Sequence, residues 1–366
     1  MSETKNDHNQ LPSALTEREG IPQPSPINES ALGSLKHAKK PLLSVEEYFS
    51  GIIHFDRAVF SRAITLLESS LKPHQVIAQE LVSRCIPYAG KSFRLGITGV
   101  PGAGKSTFIE ALGKHVTGLG HKLAVLAIDP SSARSRGSIL GDKTRMESLS
   151  TDPNAFIRPS PTAGSLGGVA RKTREIIILC EAAGFDVIFV ETVGVGQSET
   201  AVHSMVDFFL LLLISGAGDE LQGIKRGIME MADAVAINKA DGDNVIKAQI
   251  AANQVKNALH FFPKPESGWG PEVVTCSAKT TDGIPQMWDL LTNYIEFTKD
   301  NHFFGEKRKR QSHQVMLDYI NNNLYDHFYQ DASMKELLVK AAKMLEKKTH
   351  SPYQAAQILL KNYFSK

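Results

Sequence analysis

A glycine-rich stretch at residues 99–107, GVPGAGKST, contains residue types that hold phosphate groups. It fits the spacing GxxxxGK[ST], in which glycines let backbone N–H groups converge on phosphate oxygens and a following helix adds its positive dipole end. The lysine of this pattern reaches the terminal phosphates, and the serine hydroxyl is a ligand for Mg²⁺. The stretch therefore predicts a nucleoside triphosphate site. The residues expected around the phosphates are Gly99, Gly102, Ala103, Gly104, Lys105, Ser106 and Thr107.

A second motif predicts which base is bound. The sequence Asn238-Lys239-Ala240-Asp241 follows the apolar run AVAIN. An aspartate at its end can accept two hydrogen bonds from guanine N1 and N2, whereas adenine lacks this donor pair and would leave the carboxylate unpaired. The later sequence CSAK, residues 276–279, can supply a backbone donor to guanine O6. The motifs predict GTP or GDP as the ligand, bound by Asn238, Lys239, Asp241, Ser277, Ala278 and Lys279.

Carboxylates near strand ends could complete a magnesium site beside the phosphates. Asp129 ends the run LAVLAID, and Glu191 comes near the end of VIFVET. Asp142 lies thirteen residues beyond Asp129, in a loop. Mg²⁺ prefers hard oxygen ligands and keeps several waters. The predicted ligands, direct or through water, are therefore Ser106, Asp129, Asp142 and Glu191.

A glycine just after Glu191 has a candidate role in catalysis. Gly194 can donate its N–H to the γ-phosphate and change conformation after hydrolysis, so Lys105, Glu191 and Gly194 are the candidate catalytic residues. In Ras-type GTPases a water-orienting glutamine directly follows this glycine. Here Val195 takes that place, and Gln197 comes two residues later. This displacement predicts slow intrinsic hydrolysis, which a partner accelerates by reordering the loop.

Apolar runs that alternate with helical patterns predict the elements that position these residues. The strand candidates are RLGIT, LAVLAID, DVIFVET, FFLLLLI, AVAIN and EVVTCS. Continuous apolar runs are typical of parallel strands covered by helices on both faces. The predicted fold class is α/β, a P-loop NTPase with a mostly parallel sheet flanked by helices.

Composition divides the chain into four predicted regions. Residues 1–41, rich in Pro, Ser, Asn and Gln, predict a disordered tail. Helical patterns predict an N-terminal helical segment over 42–92, and the nucleotide-binding domain covers 93–302. From 303 to 366 the pattern is helical, with no glycine after position 305. We interpret the basic run KRKR, residues 307–310, as the solvated start of a helix and not as a nucleic-acid site.

The composition of the chain indicates which kinds of partner and which cellular compartment to expect. The formal net charge is +2, which argues against a nucleic-acid partner or an anionic membrane surface. The longest apolar run, FFLLLLI, is too short to cross a bilayer. The three cysteines form no CxxC pair, which fits a reducing compartment. With no secretory signal pattern at the N-terminus, we expect a cytoplasmic protein.

The sequence contains a set of long motifs: GITGVPGAGKST, DPSS, GSILGDKTRM, RPSPTAGSLGGVARKTRE, EAAGFDVIFVETVGVGQSE, GAGDELQGIKRGIMEMAD and NKAD. Through these motifs residues 42–300 closely resemble the MeaB/ArgK family of P-loop GTPases, which includes the methylmalonic aciduria type A protein, and the C-terminal helices resemble it more loosely. The residues that the resemblance supports are Lys105 and Ser106 in the phosphate loop, Asp129, Asp142 and Glu191 at the magnesium site, and Asn238, Lys239 and Asp241 on guanine. The resemblance also implies a further switch loop over residues 216–227, in which Gln222 and Lys225 join Gln197 as candidate switch residues.

The resemblance implies a function and partners as well. Members of this family chaperone adenosylcobalamin-dependent mutases of the methylmalonyl-CoA mutase type, gate cofactor loading, and protect or reactivate the enzyme. They form homodimers largely through C-terminal helical arms, for which the amphipathic helices beyond residue 303 are suitable. The implied ligands are GTP or GDP with Mg²⁺, and the implied partners are an acyl-CoA mutase and a second copy of the chain.

Other classes of function stay open on the sequence alone. A GTP-dependent metallochaperone would need soft or imidazole ligands near the nucleotide, but the twelve histidines are scattered. A small-molecule kinase linked to amino-acid transport would need a substrate-binding domain, for which we find no pattern. A structural partner with an inactive nucleotide site is disfavoured by the intact Lys105, Ser106 and Asp241.

Overall fold

The computed structural model describes residues 41–129, 146–161, 166–192, 198–216 and 226–365. At positions 129, 160, 161, 166 and 226 it describes the backbone only. The chain divides into two units, Met1–Ser44 and Val45–Lys366, and every helix and strand below belongs to the second.

A parallel sheet forms the centre of this second unit. Within the described ranges it has seven strands in the order β3-β2-β4-β1-β5-β6-β7, and every neighbouring pair is parallel. The strands are β1 Phe93–Gly99, β2 Leu123–Asp129, β3 Ala155–Pro161, β4 Val187–Thr192, β5 Phe208–Ile214, β6 Ala234–Asn238 and β7 Glu272–Thr275. The carboxyl ends of parallel strands meet at one edge, which brings together those predicted site residues that the structure describes.

The six predicted strands are confirmed, and a seventh was missed. The strands β4 and β6 are buried throughout, as their continuous apolar sequences require. The missed strand, β3, has the sequence AFIRPSP, and among the described strands it pairs with β2 alone, at the edge of the sheet. Pro159 lacks an N–H donor, which an edge strand tolerates and a central strand does not. Its two prolines hide β3 from a search for apolar runs.

Helices flank the sheet and continue beyond it. In the described part of the chain they are α1 Val45–Ile53, α2 Arg57–Glu68, α3 Lys72–Cys85, α4 Lys105–Gly118, α5 Glu147–Ser150, α6 Leu166–Ala182, α7 Ser198–His203, α8 Arg226–Met231, α9 Val245–Leu259, α10 Ile284–Asp300, α11 Phe303–Gln330, α12 Ala332–Glu346 and α13 Pro352–Phe364. None of them is long and apolar enough to span a membrane.

Local caps and a ring cluster explain how the N-terminal helices join the sheet. The Asp56 carboxylate accepts hydrogen bonds from two backbone N–H groups in the first turn of α2, as its sequence position predicts. Phe60 of α2 packs edge-on against Phe156 of β3, with ring centroids 4.8 Å apart. Phe185, just before β4, contacts both rings. This aromatic contact attaches the α1–α3 segment to the edge strand that the sequence did not reveal.

The C-terminal helices have a small core of their own. Ala341 of α12 and Ala355 and Leu359 of α13 are buried together, and Phe328 of α11 packs against them. Ser351 and Gln354 form a reciprocal capping box at the start of α13, where Pro352 takes the first helical position. These contacts make α11–α13 a helical arm, a name that we use below for residues 303–364.

The start of α11 corrects our interpretation of the basic run. Lys307 and Arg308 are not solvated, since their side chains are only 14% and 15% exposed. Arg308 donates to both carboxylate oxygens of the buried Asp207, at 2.8 and 2.7 Å. The Lys307 ammonium donates to the Asp207 carbonyl, at 2.6 Å. The basic run therefore joins the arm to the amino-terminal edge of the sheet.

Candidate nucleotide site

Two glycines of the phosphate loop, Gly99 and Gly104, lie so close to neighbouring residues that a side chain would not fit without a shift. A Cβ atom at Gly99 would lie 2.3 Å from the carbonyl oxygen of Leu212 on β5, so this strand end needs glycine. Gly102 and Gly104 have φ angles of +80° and +82°, in the left-handed region. A Cβ at Gly104 would also press on Asn238, at 3.0 Å from its Nδ2. At Gly99 and Gly104 the loop thus keeps its backbone close to β5 and to the end of β6.

Lys105 begins α4 and is directed back over the loop. Its ammonium donates to the carbonyl oxygen of Gly99, at 2.9 Å. Burial lowers the pKa of Lys105, while the negative charges of Glu191 and Glu199 act in the opposite direction. Ser106 is half-buried beside it, and Thr107 is exposed. A cation and two hydroxyls therefore lie at the amino end of a helix, which suits a bound phosphate chain.

Asn238 connects the phosphate loop with the predicted guanine loop. Its side chain is buried at the end of β6. Its Nδ2 donates to the carbonyl of Ala103, at 2.8 Å, and its Oδ1 accepts from the N–H of Ala278, at 3.1 Å. One amide side chain thus joins loops 135 residues and 40 residues away from it in sequence.

Asp241 has a fixed carboxylate next to the same loop. The hydroxyl of Ser277 donates to its Oδ2, at 2.5 Å, and the N–H of Ala240 donates to the carbonyl of Cys276, at 3.0 Å. Asp241 is half-buried, whereas Lys279 is exposed. Lys239 has a φ of 61°, which turns the chain sharply between Asn238 and Asp241. The carboxylate is therefore oriented, and partly accessible, before any base arrives.

The structure describes only part of the predicted magnesium set. Glu191 is 4% exposed near the carboxyl end of β4, where its backbone is level with Ile97 of β1 and Ala127 of β2. The backbone of Asp129 ends the adjacent strand β2, but its side chain is not described. The described residues contain no group of three or more His, Cys, Asp or Glu side chains that could hold a metal ion.

The other predicted residues fall outside the described ranges. They are Asp142, Gly194, Gln197, Gln222 and Lys225, together with Val195. The residues that the structure does bring together at the carboxyl edge of the sheet come from the phosphate loop, β4, β6 and the loop after β7.

Sequence reasoning missed Glu199. This side chain lies in the first turn of α7 and is 1% exposed, and its charge acts on Lys105. A lone glutamate at a helix start has no sequence signal of its own, because the same residue there is usually a surface charge. Only the packing of α7 against β1 and β4 brings Glu199 near the phosphate loop.

Comparison with known proteins identifies the family. The family described as "Methylmalonyl Co-A mutase-associated GTPase MeaB" matches residues 60–333. The chain belongs to the MeaB family. Since the match includes the phosphate loop, the guanine motif and all of α11, the chain is a P-loop GTPase, as its motifs predict.

Named relatives and a solved structure agree with this assignment. A "Putative GTPase" of Caulobacter vibrioides is 52% identical over 79% of this chain and 88% of its own length. The mouse "Methylmalonic aciduria type A homolog, mitochondrial" is 45% identical over 88% of this chain and 80% of its own. A crystal structure of a "LAO/AO transport system kinase" superimposes with a TM-score of 0.72 at 35% identity, covering 89% of this chain and all of that one.

Proposed function

We propose that this GTPase uses GTP and Mg²⁺ to chaperone an adenosylcobalamin-dependent acyl-CoA mutase of the methylmalonyl-CoA mutase type. It would gate cofactor loading and protect or reactivate the mutase. The observation that carries the proposal is the family match, whose description names association with this mutase. The mouse relative named for methylmalonic aciduria supports it.

The nucleotide itself would be held at both ends. Lys105 would move its ammonium from the carbonyl of Gly99 to the terminal phosphate oxygens, which offer a full negative charge. Backbone N–H groups of the loop and the hydroxyl of Thr107 would bind the remaining phosphates. Asp241, oriented by Ser277, would accept the two donors on the Watson–Crick edge of guanine.

Magnesium suits the donor set that adjoins the phosphates. The hydroxyl of Ser106 and the carboxylate of Glu191 supply hard oxygen atoms, which Mg²⁺ prefers. We propose that Asp129 and Asp142 complete the set, directly or through water. When bound, the ion neutralises charge that develops on the β- and γ-phosphate oxygens during transfer to water.

Regulation would lie in the loops that follow the strands. We propose that Gly194 senses the γ-phosphate and that Gln197 reaches the attacking water only when a partner reorders the loop. Gln222 and Lys225 would pass the nucleotide state to the partner. Hydrolysis by the isolated protein should therefore be slow, and a single-turnover measurement with and without the mutase tests this.

The arm would form the homodimer. Several of its large apolar side chains are exposed, including Leu324 at 58%, Tyr325 at 62% and Tyr353 at 84%. Association of two arms would remove such surface from water, which favours dimer formation. We propose the cytoplasm as the compartment, although the mouse relative is named mitochondrial.

Nucleotide-dependent capture of the mutase tests the proposed function. The full-length chain is immobilised and exposed to purified apo-mutase with GDP, a non-hydrolysable GTP analogue, or no nucleotide. We expect binding that changes with the nucleotide, and adenosylcobalamin transfer to the mutase that depends on GTP hydrolysis. Lys105→Ala should abolish the nucleotide dependence. Capture that is the same in all three conditions, or no capture at all, would contradict the proposal.

A phosphotransferase is the second candidate, because the solved structural relative is named a transport system kinase. The two functions differ in where the γ-phosphoryl group goes. If the protein is a chaperone GTPase, we expect all the label of GTP labelled at the γ-phosphate to be recovered in free phosphate. Label recovered on a small amine or guanidine compound would favour the kinase.

A further inference from the structure

The arm helix α11 is held unevenly along its length. At its start, Lys307 and Arg308 bind Asp207, and Arg308 also donates to the carbonyl oxygens of Gly90 and Ser92, at 2.7 and 2.5 Å. Gln311 donates to the carbonyl of Val206, at 2.8 Å. These hydrogen bonds, several of them from charged groups, fix the first two turns of α11 to the amino-terminal edge of the sheet.

Beyond Gln311 the contact between α11 and the rest of the unit becomes loose. Two open clefts lie beside α11. One is lined by α6, α7 and residues 312–322 of α11, and the other by α6, the residues after α3 and the start of α11. From residue 312 to 330 the side chains of α11 are mostly exposed, and none is buried. The helix α11 is therefore fixed near its start and makes few buried contacts along its middle. It can turn about the fixed start.

Arg174 lies between the two clefts and lines both of them. Its Nη2 donates to the hydroxyl of Ser204, at 2.8 Å, and its Nη1 lies 3.5 Å from the carboxylate of Asp318 on α11. Its buried Nε has no hydrogen-bond partner among the described residues. Burial lowers the pKa of Arg174, and Asp318 opposes this. The guanidinium, whose side chain is 15% exposed, thus keeps one N–H donor available for another partner.

The helix next to Arg174, α7, also carries a charge that acts on the phosphate loop. Ser204 directly follows α7, and its hydroxyl donates to the carbonyl of Ala201 in that helix, at 2.7 Å. At the other end of α7, the buried Glu199 attracts the ammonium of Lys105. Described hydrogen bonds thus run from α7 through Ser204 and Arg174 to the middle of α11, and the charge of Glu199 links α7 to Lys105 electrostatically.

We propose that Arg174 is a positioning residue that couples the nucleotide state to the direction of the arm. The coupling rests on the proposed binding of GTP phosphates by Lys105. When the phosphates neutralise the Lys105 charge, its attraction for Glu199 weakens and α7 shifts. Ser204 then moves the guanidinium of Arg174 relative to Asp318, and α11 turns about its fixed start.

The length of α11 amplifies a small movement. From Gln311 to Gln330 the helix rises about 28 Å, at about 1.5 Å per residue. A rotation of about 5° at the fixed start would therefore move the far end by about 2.5 Å. Because α12 and α13 pack on α11, they move with it.

A distance measurement on the full-length chain tests the coupling. Spin labels are attached at Lys247→Cys on α9 and Lys340→Cys on α12, which replace exposed residues. The three native thiols are buried and do not compete for the label. Labelled chains are diluted with unlabelled protein so that each distance lies within one chain. We expect the distance to shift by about 2–3 Å between GDP and a non-hydrolysable GTP analogue.

Variants of the coupling series should lose this shift while keeping the bound nucleotide. Arg174→Ala and the milder Ser204→Ala are expected to give one distance in both nucleotide states. Arg174→Lys, which retains the charge but cannot span both partners, should retain less than half of the shift. The matched control is Arg171→Ala, because Arg171 lies on the same helix and stacks on Tyr319 of α11. It should keep the whole shift.

The possible outcomes separate this proposal from the proposed function. An unchanged shift in folded Arg174→Ala, or no shift in the parent chain, would overturn the coupling. GTP affinity and mutase capture are measured on the same samples. If the mutase is not captured but the distance still follows the nucleotide, the chaperone function fails and the coupling stands. Circular dichroism and the midpoint of thermal unfolding verify that each variant is folded.

Discussion

Charged side chains are buried or half-buried at both edges of the sheet, but their hydrogen-bond partners differ between the two edges. At the amino-terminal edge, Arg308 binds Asp207 in a bidentate pair, and Arg94 donates to Glu181 at 2.8 and 3.0 Å. At the carboxyl edge, the ammonium of Lys105 donates to backbone carbonyl oxygens of the loop. A carbonyl satisfies the donor geometry without neutralising the charge.

This difference shows why burial of a charge is by itself a poor sign of function. The charges at the amino-terminal edge meet opposite charges from distant parts of the same chain, which stabilises one arrangement of the arm. The cation at the carboxyl edge is held by partners that an anionic ligand can replace. The identity of the partner, and not the degree of burial, distinguishes the structural edge from the binding edge.

The largest effect is expected from breaking the amino-terminal edge. Arg308→Ala leaves Asp207 buried without its bidentate partner, which should cost about 3–5 kcal/mol of unfolding free energy. Chemical denaturation measures this loss. Arg310→Ala on the same helix is the control, because its partner Glu266 is exposed and such pairs contribute about 1 kcal/mol or less. Equal losses in the two variants would contradict the comparison.

The next largest effect should come from the carboxyl edge and should concern binding. Lys105→Ala removes at least two charge-assisted hydrogen bonds to phosphates, which predicts a loss of GTP affinity of about 100-fold or more. Unfolding of the nucleotide-free protein should change little. Titration with a fluorescent GTP analogue measures the affinity, and Lys114→Ala, further along α4, is the control. Near-normal affinity in Lys105→Ala would refute the phosphate assignment.

A smaller effect is expected at the base. Asp241→Asn removes the acceptor for the guanine donors, at a cost of about 1.5–3 kcal/mol, or about 10–150-fold in GTP affinity. Weak binding of ATP should be unaffected. Competition titrations with both nucleotides measure the ratio, and Asp243→Asn in the same turn is the control. If the parent chain binds GTP and ATP equally, Asp241 does not read the base.

The smallest effect concerns pH and belongs to the amino-terminal edge. Burial, helped by the Lys307 charge, lowers the pKa of His203 to about 4, below its unfolded value of 6.5. Between these values the unfolded chain binds the extra proton, so stability falls as the pH decreases from 6.5. At pH 5.5 the loss attributable to His203 is about 1 kcal/mol. His203→Gln should reduce this dependence in thermal unfolding at pH 8 and 5.5, whereas His260→Gln, at an exposed position, should not.

The sequence alone predicted the motifs at the carboxyl edge of the sheet better than the charge pairs at its amino-terminal edge. The phosphate loop and the guanine motif are local patterns, and Lys105 and Asp241 each lie within a few residues of their motif partners. The fold followed from long apolar strands such as β5. By contrast, Arg308 contacts Asp207 and Ser92, which precede it by 101 and 216 residues. Pairing over such separations leaves no local pattern in the sequence. For this reason the basic run at the start of α11 was interpreted as solvated.

The omitted strand has a similar explanation. Ala155–Pro161 is stabilised by its ladder to β2 and by Phe156 against Phe60 of α2. Neither β2 nor Phe60 can be inferred from the seven residues of β3, and a proline such as Pro159 disfavours the prediction of a strand from sequence. The arm was predicted as helices, but the uneven attachment of α11 depends on hydrogen bonds from its start to residues about 100 or more positions earlier, which a local pattern does not reveal.

The buried amide of Asn238 has a consequence for how the enzyme rejects a wrong purine. The same side chain steadies Ala103 in the phosphate loop and Ala278 in the loop beside the base. A base that displaces residue 278 therefore also disturbs the seat of the triphosphate. We therefore expect two differences between ATP and GTP. The protein should bind ATP with lower affinity, and it should hydrolyse the bound ATP more slowly than bound GTP.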